Sequence, residues 1–204
     1  MKSNENLISD YIEKSIQTKR ELLKTRVEVI AQIAKEIIDA YQRENKVLWF
    51  GNGGSAADAQ HLACELVGKF YVKRKALASI ALTTNTSELT AIANDYDFDQ
   101  VFARQVEALA NPRDVVVGIS TSGNSLNVIK GIEEAKRRGA ITIAFTGVSG
   151  GKLKGNGDVD YLLTVPSEDT PHIQESHIMV GHIICYLVEK ELFGNHYCIC
   201  SHSK

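Results

Sequence analysis

The sequence has little of what disulfide-stabilised, secreted or membrane proteins need. Its four cysteines are too few and too scattered for a disulfide scaffold. No apolar run approaches the roughly 18 residues of a membrane helix, and the polar, acidic first residues do not resemble a signal peptide. A net charge of -2 disfavours a nucleic acid or a membrane surface as the main partner. We therefore expect a cytoplasmic protein that binds neither nucleic acid nor membranes.

The chain also lacks internal repeats and any linker rich in proline or serine. Its 204 residues suffice for one well-buried domain and do not require two. We expect a single domain over residues 1–195. The tail 196–204 contains His196, Cys198, Cys200 and His202, which could bind zinc, but so short a segment without a core favours disorder.

Apolar runs alternate with helical patterns along the rest of the chain. Five short runs predict strands, and the segments between and after them have helical spacing, including a helix at 55–70 and a last helix at 171–193. This alternation predicts an α/β fold, with a parallel sheet covered by helices on both faces. The predicted strands are 46–50, 78–82, 115–119, 141–145 and 161–165.

Residues 5–44 have helical periodicity throughout, which predicts a helical hairpin or a bent pair before the first strand. This is more amphipathic helix than one face of a sheet requires. We expect part of its apolar stripe to pack against another subunit.

The central stretch 115–125, VVVGISTSGNS, is a β-branched run that ends abruptly in hydroxyl groups around Gly123. A loop between a buried parallel strand and a helix N-terminus presents free N–H groups and a partial positive charge. With hydroxyls and no lysine, it suits a phosphate monoester. The alternative is an ordinary polar turn in which Ser125 caps the helix. The hydroxyl residues are Ser120, Thr121, Ser122 and Ser125.

A second glycine-rich turn, GNGGSAADAQH at 51–61, has the same design. It lacks the G-x-G-x-x-G spacing of dinucleotide folds and the lysine of a P-loop, which argues against a nucleotide enzyme.

Two predicted helices carry residues suited to metal binding or proton transfer. His61 and Glu65 share one face of the first, where an exposed polar contact is the simpler interpretation. On the last helix Gln174 and His182 lie within about 80° of each other. His182 lies in an apolar run, so a buried, satisfied histidine is the simpler interpretation there. Together these groups would suit Zn²⁺ or an acid–base pair, but spacing does not show that the helices meet.

A basic run at 69–75, KFYVKRK, could hold a second phosphate or line a channel. A solvated turn after a helix is the favoured interpretation.

Several of these segments resemble the phosphoheptose isomerases, a family of sugar isomerase (SIS) domain enzymes. The resemblance is carried by GNGGSAADAQH, CELVGKF, ALTTNTSELTAIANDYDFDQVFARQ, ISTSGNSLNVIKGI, TGVSGG and IQESHIMVGHIIC, and it extends to Glu191. It implies a single SIS domain with a five-stranded parallel sheet, a flavodoxin- or Rossmann-like three-layer arrangement and an N-terminal helical extension. It also implies a homotetramer with sites between subunits.

The resemblance further implies an aldose–ketose isomerase. The reaction would convert sedoheptulose 7-phosphate to D-glycero-D-manno-heptose 7-phosphate through a cis-enediol, the first step toward nucleotide-activated heptose for surface polysaccharide. Glu65 and His182 would be the acid–base pair, and one Zn²⁺ per subunit would be held by His61, Glu65, Gln174 and His182. The implied substrate contacts are Asn52, Gly53, Gly54, Ser55, Glu65, Asn94, Asp95, Ser120, Thr121, Ser122, Ser125 and Gln174.

The chain departs from the family pattern at two places. Lys69 stands where arginine is frequent, and Pro171 and His172 stand where arginine commonly precedes IQE. Neither replacement offers a bidentate guanidinium, which affects substrate preference and subunit contacts. A related non-catalytic SIS-domain tetramer, which binds the replication initiator DnaA, shares the same motifs. DnaA binding is therefore the alternative function.

Overall fold

The fold begins with two consecutive helices, as the periodicity predicts. In the computed structural model, which describes residues 2–194, α1 spans Asn4–Thr25 and α2 spans Val27–Gln42. The break is Arg26, with φ -129° and ψ 0°. Its Nε donates to both the backbone and the hydroxyl oxygen of Thr164, at 2.9 and 3.0 Å. The junction is therefore anchored to the last strand.

Five parallel strands form one sheet, which confirms the predicted α/β class. They are β1 (Val47–Gly51), β2 (Ser79–Ala81), β3 (Val115–Ile119), β4 (Ile141–Thr146) and β5 (Tyr161–Thr164). Their spatial order is β2-β1-β3-β4-β5, with Val47 paired to Val115. The order reverses between β1 and β3, and ligands of such sheets bind beyond the carboxyl ends of the strands at that point.

Helices cover both faces of the sheet. Residues of α2, α3 and α7 pack with Trp49 on one side, and residues of α5 and α6 pack with Phe50 on the other. Adjacent residues of β1 thus enter opposite cores, as the two-residue period of a strand requires. The remaining helices are α3 (Gly54–Val67), α4 (Thr86–Asp95), α5 (Val101–Leu109), α6 (Leu126–Arg137) and α7 (Thr170–Phe193), with 3₁₀ turns at Phe98–Gln100 and Gly151–Leu153.

The predicted helix at 55–70 is wrong at its end, because α3 stops at Val67 and Gly68 follows as its C-cap. The next backbone N–H groups, those of Phe70, Tyr71 and Val72, bond to the Glu189 carboxylate instead of continuing the helix. No helix in residues 2–194 is long and apolar enough to cross a membrane. The predicted tail 196–204 lies outside the described residues.

Candidate functional site

Two asparagines, one in the turn after β1 and one in the first turn of α6, join the connections that leave β1 and β3 at the switch point of the sheet. The amides of Asn52 and Asn127 donate to each other's oxygens, and both N–O distances are 2.9 Å. Asn127 is only 3% exposed. The pair fixes the predicted sugar-binding turn against the predicted phosphate loop. Sequence reasoning missed Asn127, because nothing in its spacing indicates a partner in another loop.

The turn after β1 depends on glycine. Gly53 has φ +56°, a backbone conformation that favours glycine. A side chain at Gly54 would collide with Gln174, whose Nε2 lies 2.5 Å from the position of the added Cβ. The Gln174 amide therefore lies directly against the first turn of α3. Ser55, the second residue of α3, is only 3% exposed. Its predicted contact with the substrate stays a prediction.

The predicted phosphate loop presents its hydroxyl groups toward one another. The Ser120 and Ser125 hydroxyl oxygens are 3.0 Å apart, and the Ser122 hydroxyl accepts from the Asn124 backbone N–H. Ser125 is the N-cap residue of α6, but its side chain makes no capping hydrogen bond. Ser125 therefore holds the N-cap position that the alternative predicts, but its hydroxyl leaves the N-terminal N–H groups of α6 available to an anion.

The glycine-rich segment after β4 supports this loop. Gly123 has φ +66°, and a Cβ there would lie 2.1 Å from the Gly150 carbonyl oxygen. The Asn124 side-chain oxygen accepts from the Lys152 backbone N–H at 3.0 Å, and the Leu153 N–H donates to the Gly123 carbonyl at 3.1 Å. The two loops hold each other so closely that only glycine fits between them.

A cleft of about 300 Å³ opens beside the phosphate loop. Its walls include the N-terminal turn of α7 as well as the loops after β3 and β4. The hydroxyl-bearing lining residues are Thr121, Ser122, Ser149, Ser167 and Thr170. A cleft of this polarity between two helix N-termini suits a phosphorylated, hydroxyl-rich ligand.

Three of the four predicted metal ligands come together between α3 and α7. The Nε2 atoms of His61 and His182 are 3.1 Å apart, and His61 Nε2 lies 3.2 Å from Glu65 Oε1. All three ligand atoms lie within 4.8 Å of one another. The interpretation of His182 as a buried, satisfied histidine is therefore wrong, since it faces the other two groups. The fully buried histidine of α7 is instead His177, whose Nε2 lies 3.1 Å from the Thr146 carbonyl oxygen, while its Nδ1 has no hydrogen-bond partner among the described residues.

The surroundings favour the neutral form of His182. Burial lowers its pKa, the proximity of His61 lowers it further, and the Glu65 carboxylate opposes both effects. Neutral imidazole is the form that binds metal ions or accepts a proton. One turn before His61, burial raises the pKa of Asp58 to about 6, partly offset by His61. Spacing alone had not singled out Asp58.

The three-residue group has the composition of a zinc site. Two imidazole nitrogens and one carboxylate oxygen are a common ligand set for zinc, with a further position left for another ligand. His61 is half-exposed, so the group is open to solvent on one side. The residues present therefore fit Zn²⁺. The assignment of Gln174 as the fourth ligand stays a prediction.

Asn94 and Asp95 lie elsewhere, in the exposed last turn of α4. The Asn94 side chain donates to Asp95 Oδ1 at 2.7 Å. None of the ten residues of α4 is buried. The predicted sugar contact of this pair stays a prediction.

The interpretation of the basic run 69–75 as a solvated turn or phosphate site is wrong for Arg74. Its side chain is 2% exposed and pairs with the equally buried Glu189 at 3.1 Å. The Arg74 guanidinium binds the Glu189 carboxylate and backbone carbonyls of α3, so it is not available to a ligand.

His172, which replaces the arginine of the family pattern, also turns inward. Its side chain is 2% exposed, its Nδ1 lies 3.2 Å from Glu175 Oε1, and its ring contacts Tyr11 of α1 with centroids 4.4 Å apart. It therefore joins α7 to α1.

The chain is similar in sequence to a known protein family and to curated proteins that share one name. A family model described as SIS domain matches residues 10–147. The phosphoheptose isomerase of Clostridium acetobutylicum is 53% identical over 191 residues, covering 93% of this chain and 96% of the relative. The probable phosphoheptose isomerase of Thermoplasma acidophilum is 60% identical over 172 residues, covering 84% and 93%.

Solved structures agree with these sequences. Phosphoheptose isomerase GmhA from Neisseria gonorrhoeae superposes with a TM-score of 0.87 at 45% identity, covering 92% of this chain and all of that chain. A phosphoheptose isomerase from Francisella tularensis superposes with a TM-score of 0.89 at 39% identity, covering 93% and 100%.

Proposed function

The chain belongs to the phosphoheptose isomerases of the SIS-domain family, and we propose that it converts sedoheptulose 7-phosphate to D-glycero-D-manno-heptose 7-phosphate. It is an aldose–ketose isomerase. The observation that carries the proposal is the convergence of His61, Glu65 and His182 between α3 and α7, in a chain that also has the hydroxyl-rich loop at 120–125. One element of the site moves protons and the other holds the phosphate.

The phosphate is the anchor of the substrate. The hydroxyls of Ser120, Thr121, Ser122 and Ser125, together with the N-terminal N–H groups of α6, bind its oxygens. Because these groups carry no formal charge, they fix the position of the phosphate by hydrogen-bond geometry. Asn52, tied to Asn127, directs the sugar from this anchor toward α3.

Isomerisation moves a proton between C1 and C2 through a cis-enediol. Glu65 is the base, since its carboxylate is partly exposed and lies beside two imidazoles. His182, held neutral by burial, exchanges the proton on the substrate oxygen. General acid–base catalysis of this kind contributes roughly 10²- to 10⁴-fold.

Zn²⁺ is the cofactor of this proposal, held by His61, Glu65 and His182, with Gln174 as the fourth ligand. When bound, it would supply Lewis-acid stabilisation of a developing oxyanion. The protein's own contribution is to bring two helices close enough for their imidazoles to meet.

The assembly is a homotetramer with sites between subunits. Two features support contact with other copies of this chain. The first is the apolar stripe of α1, where Leu7, Ile8 and Ile12 are each more than half exposed. The second is α4, which packs Leu89, Ile92 and Ala93 against the core but has no fully buried residue among its ten, so its outer face is open to a neighbouring copy. A neighbouring copy that covers α4 would bring Asn94 and Asp95 to its own sugar.

The product is a heptose 7-phosphate, and this places the enzyme at the entry to nucleotide-activated heptose for surface polysaccharide, in the cytoplasm. No structural observation favours the DnaA-binding alternative, and the relatives reported above carry isomerase names.

The test is turnover of sedoheptulose 7-phosphate by purified protein, first after chelation and then with added Zn²⁺. Turnover that Zn²⁺ restores supports both parts of the proposal. Turnover that ignores Zn²⁺ keeps the isomerase and leaves Glu65 and His182 as a metal-free acid–base pair. A folded oligomer without turnover in either state would overturn the proposed function, and a DnaA pull-down would then examine the alternative.

A further inference from the structure

Glu189 and Arg74 form a buried ion pair at the far end of the two helices that carry the proposed zinc ligands. Their side chains are 1% and 2% exposed, with Arg74 Nε 3.1 Å from Glu189 Oε1. The carboxylate also accepts hydrogen bonds from the backbone N–H groups of Phe70, Tyr71 and Val72, at 3.1, 2.7 and 3.2 Å. A single carboxylate thus organises the whole segment after α3.

The Arg74 guanidinium uses its remaining N–H groups on the end of α3. Its Nη2 donates to the Glu65 carbonyl at 2.9 Å, and its Nη1 donates to the Leu66 carbonyl at 2.7 Å. The last carbonyls of a helix have no partner within the helix, and a cation there also opposes the partial negative charge of the helix end. Arg74 therefore fixes the backbone of Glu65 itself.

Glu189 belongs to α7 itself, so the ion pair ties that helix to the end of α3. Glu189 follows His182 by seven residues, so the two side chains leave α7 within about 20° of each other and about two turns apart. One residue before His182, α3 and α7 are in close contact, because a Cβ at Gly181 would lie 2.3 Å from a methyl carbon of Leu62. The helices are held together at this contact and again at the ion pair.

We infer that the Arg74–Glu189 pair is a positioning device for the active site. It sets the separation and rotation of α3 and α7, and hence the distances among His61, Glu65 and His182. The same carboxylate also places Phe70, whose ring centroid lies 5.6 Å from that of His182. The inference rests on the proposed function, since it concerns the geometry of the same three side chains.

A matched control exists at the amino end of the central strand β3. Asp114 is also 1% exposed, pairs with Lys46, and accepts from the backbone N–H groups of Lys46 and Asn111 at 3.0 and 2.8 Å. It precedes β3 at its amino end. Asp114→Asn therefore disturbs a comparable buried carboxylate without touching α3 or α7.

The experiment compares Arg74→Lys and Glu189→Gln with Asp114→Asn below their unfolding temperatures. Co²⁺, used as a visible-absorbing substitute for Zn²⁺, is titrated into chelated protein against a competing chelator, and kcat and KM are measured separately. We expect Co²⁺ affinity to fall about 10- to 100-fold in the first two variants, as for residues that orient metal ligands. Their Co²⁺ spectrum should change and kcat should fall at least tenfold with KM within twofold, while Asp114→Asn lowers only Tm. Should Glu189→Gln not fold, Glu189→Asp replaces it, because it keeps the charge and shortens the reach.

The inference is overturned if the Arg74 and Glu189 variants behave like Asp114→Asn, with a lower Tm but unchanged Co²⁺ affinity, spectrum and kcat. A wild-type protein that turns over substrate without binding metal would refute the zinc assignment alone. The changes in kcat and KM of the Arg74 and Glu189 variants would then decide whether the ion pair positions the active site. A wild-type protein that binds Co²⁺ without turnover would refute the proposed function alone. The Co²⁺ affinities and spectra of the variants would then decide whether the ion pair positions the three side chains.

Discussion

Among single residues, Glu65 has the surroundings of a working base. Its side chain is 22% exposed and lies 3.2 Å from the half-exposed His61. A carboxylate that is neither fully solvated nor locked into a permanent ion pair can accept and return a proton without a large reorganisation.

Replacing Glu65 with Gln should keep the fold and abolish most turnover, because the amide preserves the shape but cannot accept the proton. We expect kcat to fall by about 10²- to 10⁴-fold, the usual contribution of a general base, with Tm unchanged. Glu107→Gln, on the exposed face of α5, serves as the control and should retain full activity. An active Glu65→Gln enzyme would exclude Glu65 as the base.

A buried histidine makes the folded protein sensitive to acid. Burial lowers the pKa of His177 from 6.5 to about 4, with partial compensation from its hydrogen bond to the Thr146 carbonyl. Between about pH 6.5 and pH 4 the unfolded chain therefore binds a proton that the folded chain does not. Stability is lost as the pH falls through this window, by about 3 kcal/mol in total.

Urea unfolding at pH 7 and pH 5 measures this effect. At pH 5 the titration of His177 should account for about 2 kcal/mol of the lost free energy of unfolding. His177→Asn cannot titrate, so its stability should change less than that of the wild type over the same interval. Equal losses in both proteins would contradict the assignment.

At the scale of elements, the proposed phosphate site depends on two separate loops, those after β3 and β4. The loop after β3 supplies hydroxyl groups, and the loop after β4 supplies the surface against which Gly123 packs. The geometry of one loop is therefore a property of both.

Gly123→Ala should damage phosphate binding, because its Cβ would lie 2.1 Å from the Gly150 carbonyl and because φ is +66°. We expect a loss of about 1–3 kcal/mol in stability and a raised KM for the sugar phosphate. Gly157→Ala is the control, since a Cβ there meets nothing within 4 Å, and it should change stability by less than about 0.5 kcal/mol. Thermal unfolding and steady-state kinetics measure both. A Gly123→Ala enzyme with unchanged KM would show that the loop tolerates displacement.

The strands were predictable because their signals are local: a β-branched run such as 115–119 indicates a buried strand without reference to the rest of the chain. The hydroxyl cluster around Gly123 is an equally local signal, and the anion-binding turn that it indicates stays a prediction. Side-chain pairs across the fold leave no such signal. Arg74 and Glu189 are 115 positions apart, and the charges of Arg74 and its neighbours in sequence indicated a solvated turn. The helix end at Val67 did have a local signal, Gly68, which the apolar pattern continuing to Phe70 obscured.

At the scale of the whole molecule, the stripe on α1 predicts the state of assembly. Ile12→Lys places a charge among the exposed apolar residues, and it should convert the proposed tetramer into smaller species because burying an unpaired ammonium is costly. Gln17→Lys puts the same residue on an exposed polar position of the same helix and should leave the assembly intact. Light scattering gives the masses. A tetrameric Ile12→Lys protein, or a monomeric wild type, would contradict this role of α1.

The shortness of β2 has a consequence for the protein at high concentration. This edge strand has three residues and pairs only with β1. An edge strand exposes a row of unpaired N–H and C=O groups on which foreign strands can add, and very short edges offer too few of them to template such growth. The other edge strand, β5, has only four residues. Both edges of the sheet thus have little capacity to seed intermolecular β-structure, and the concentrated enzyme should resist fibrillar aggregation as long as it stays folded.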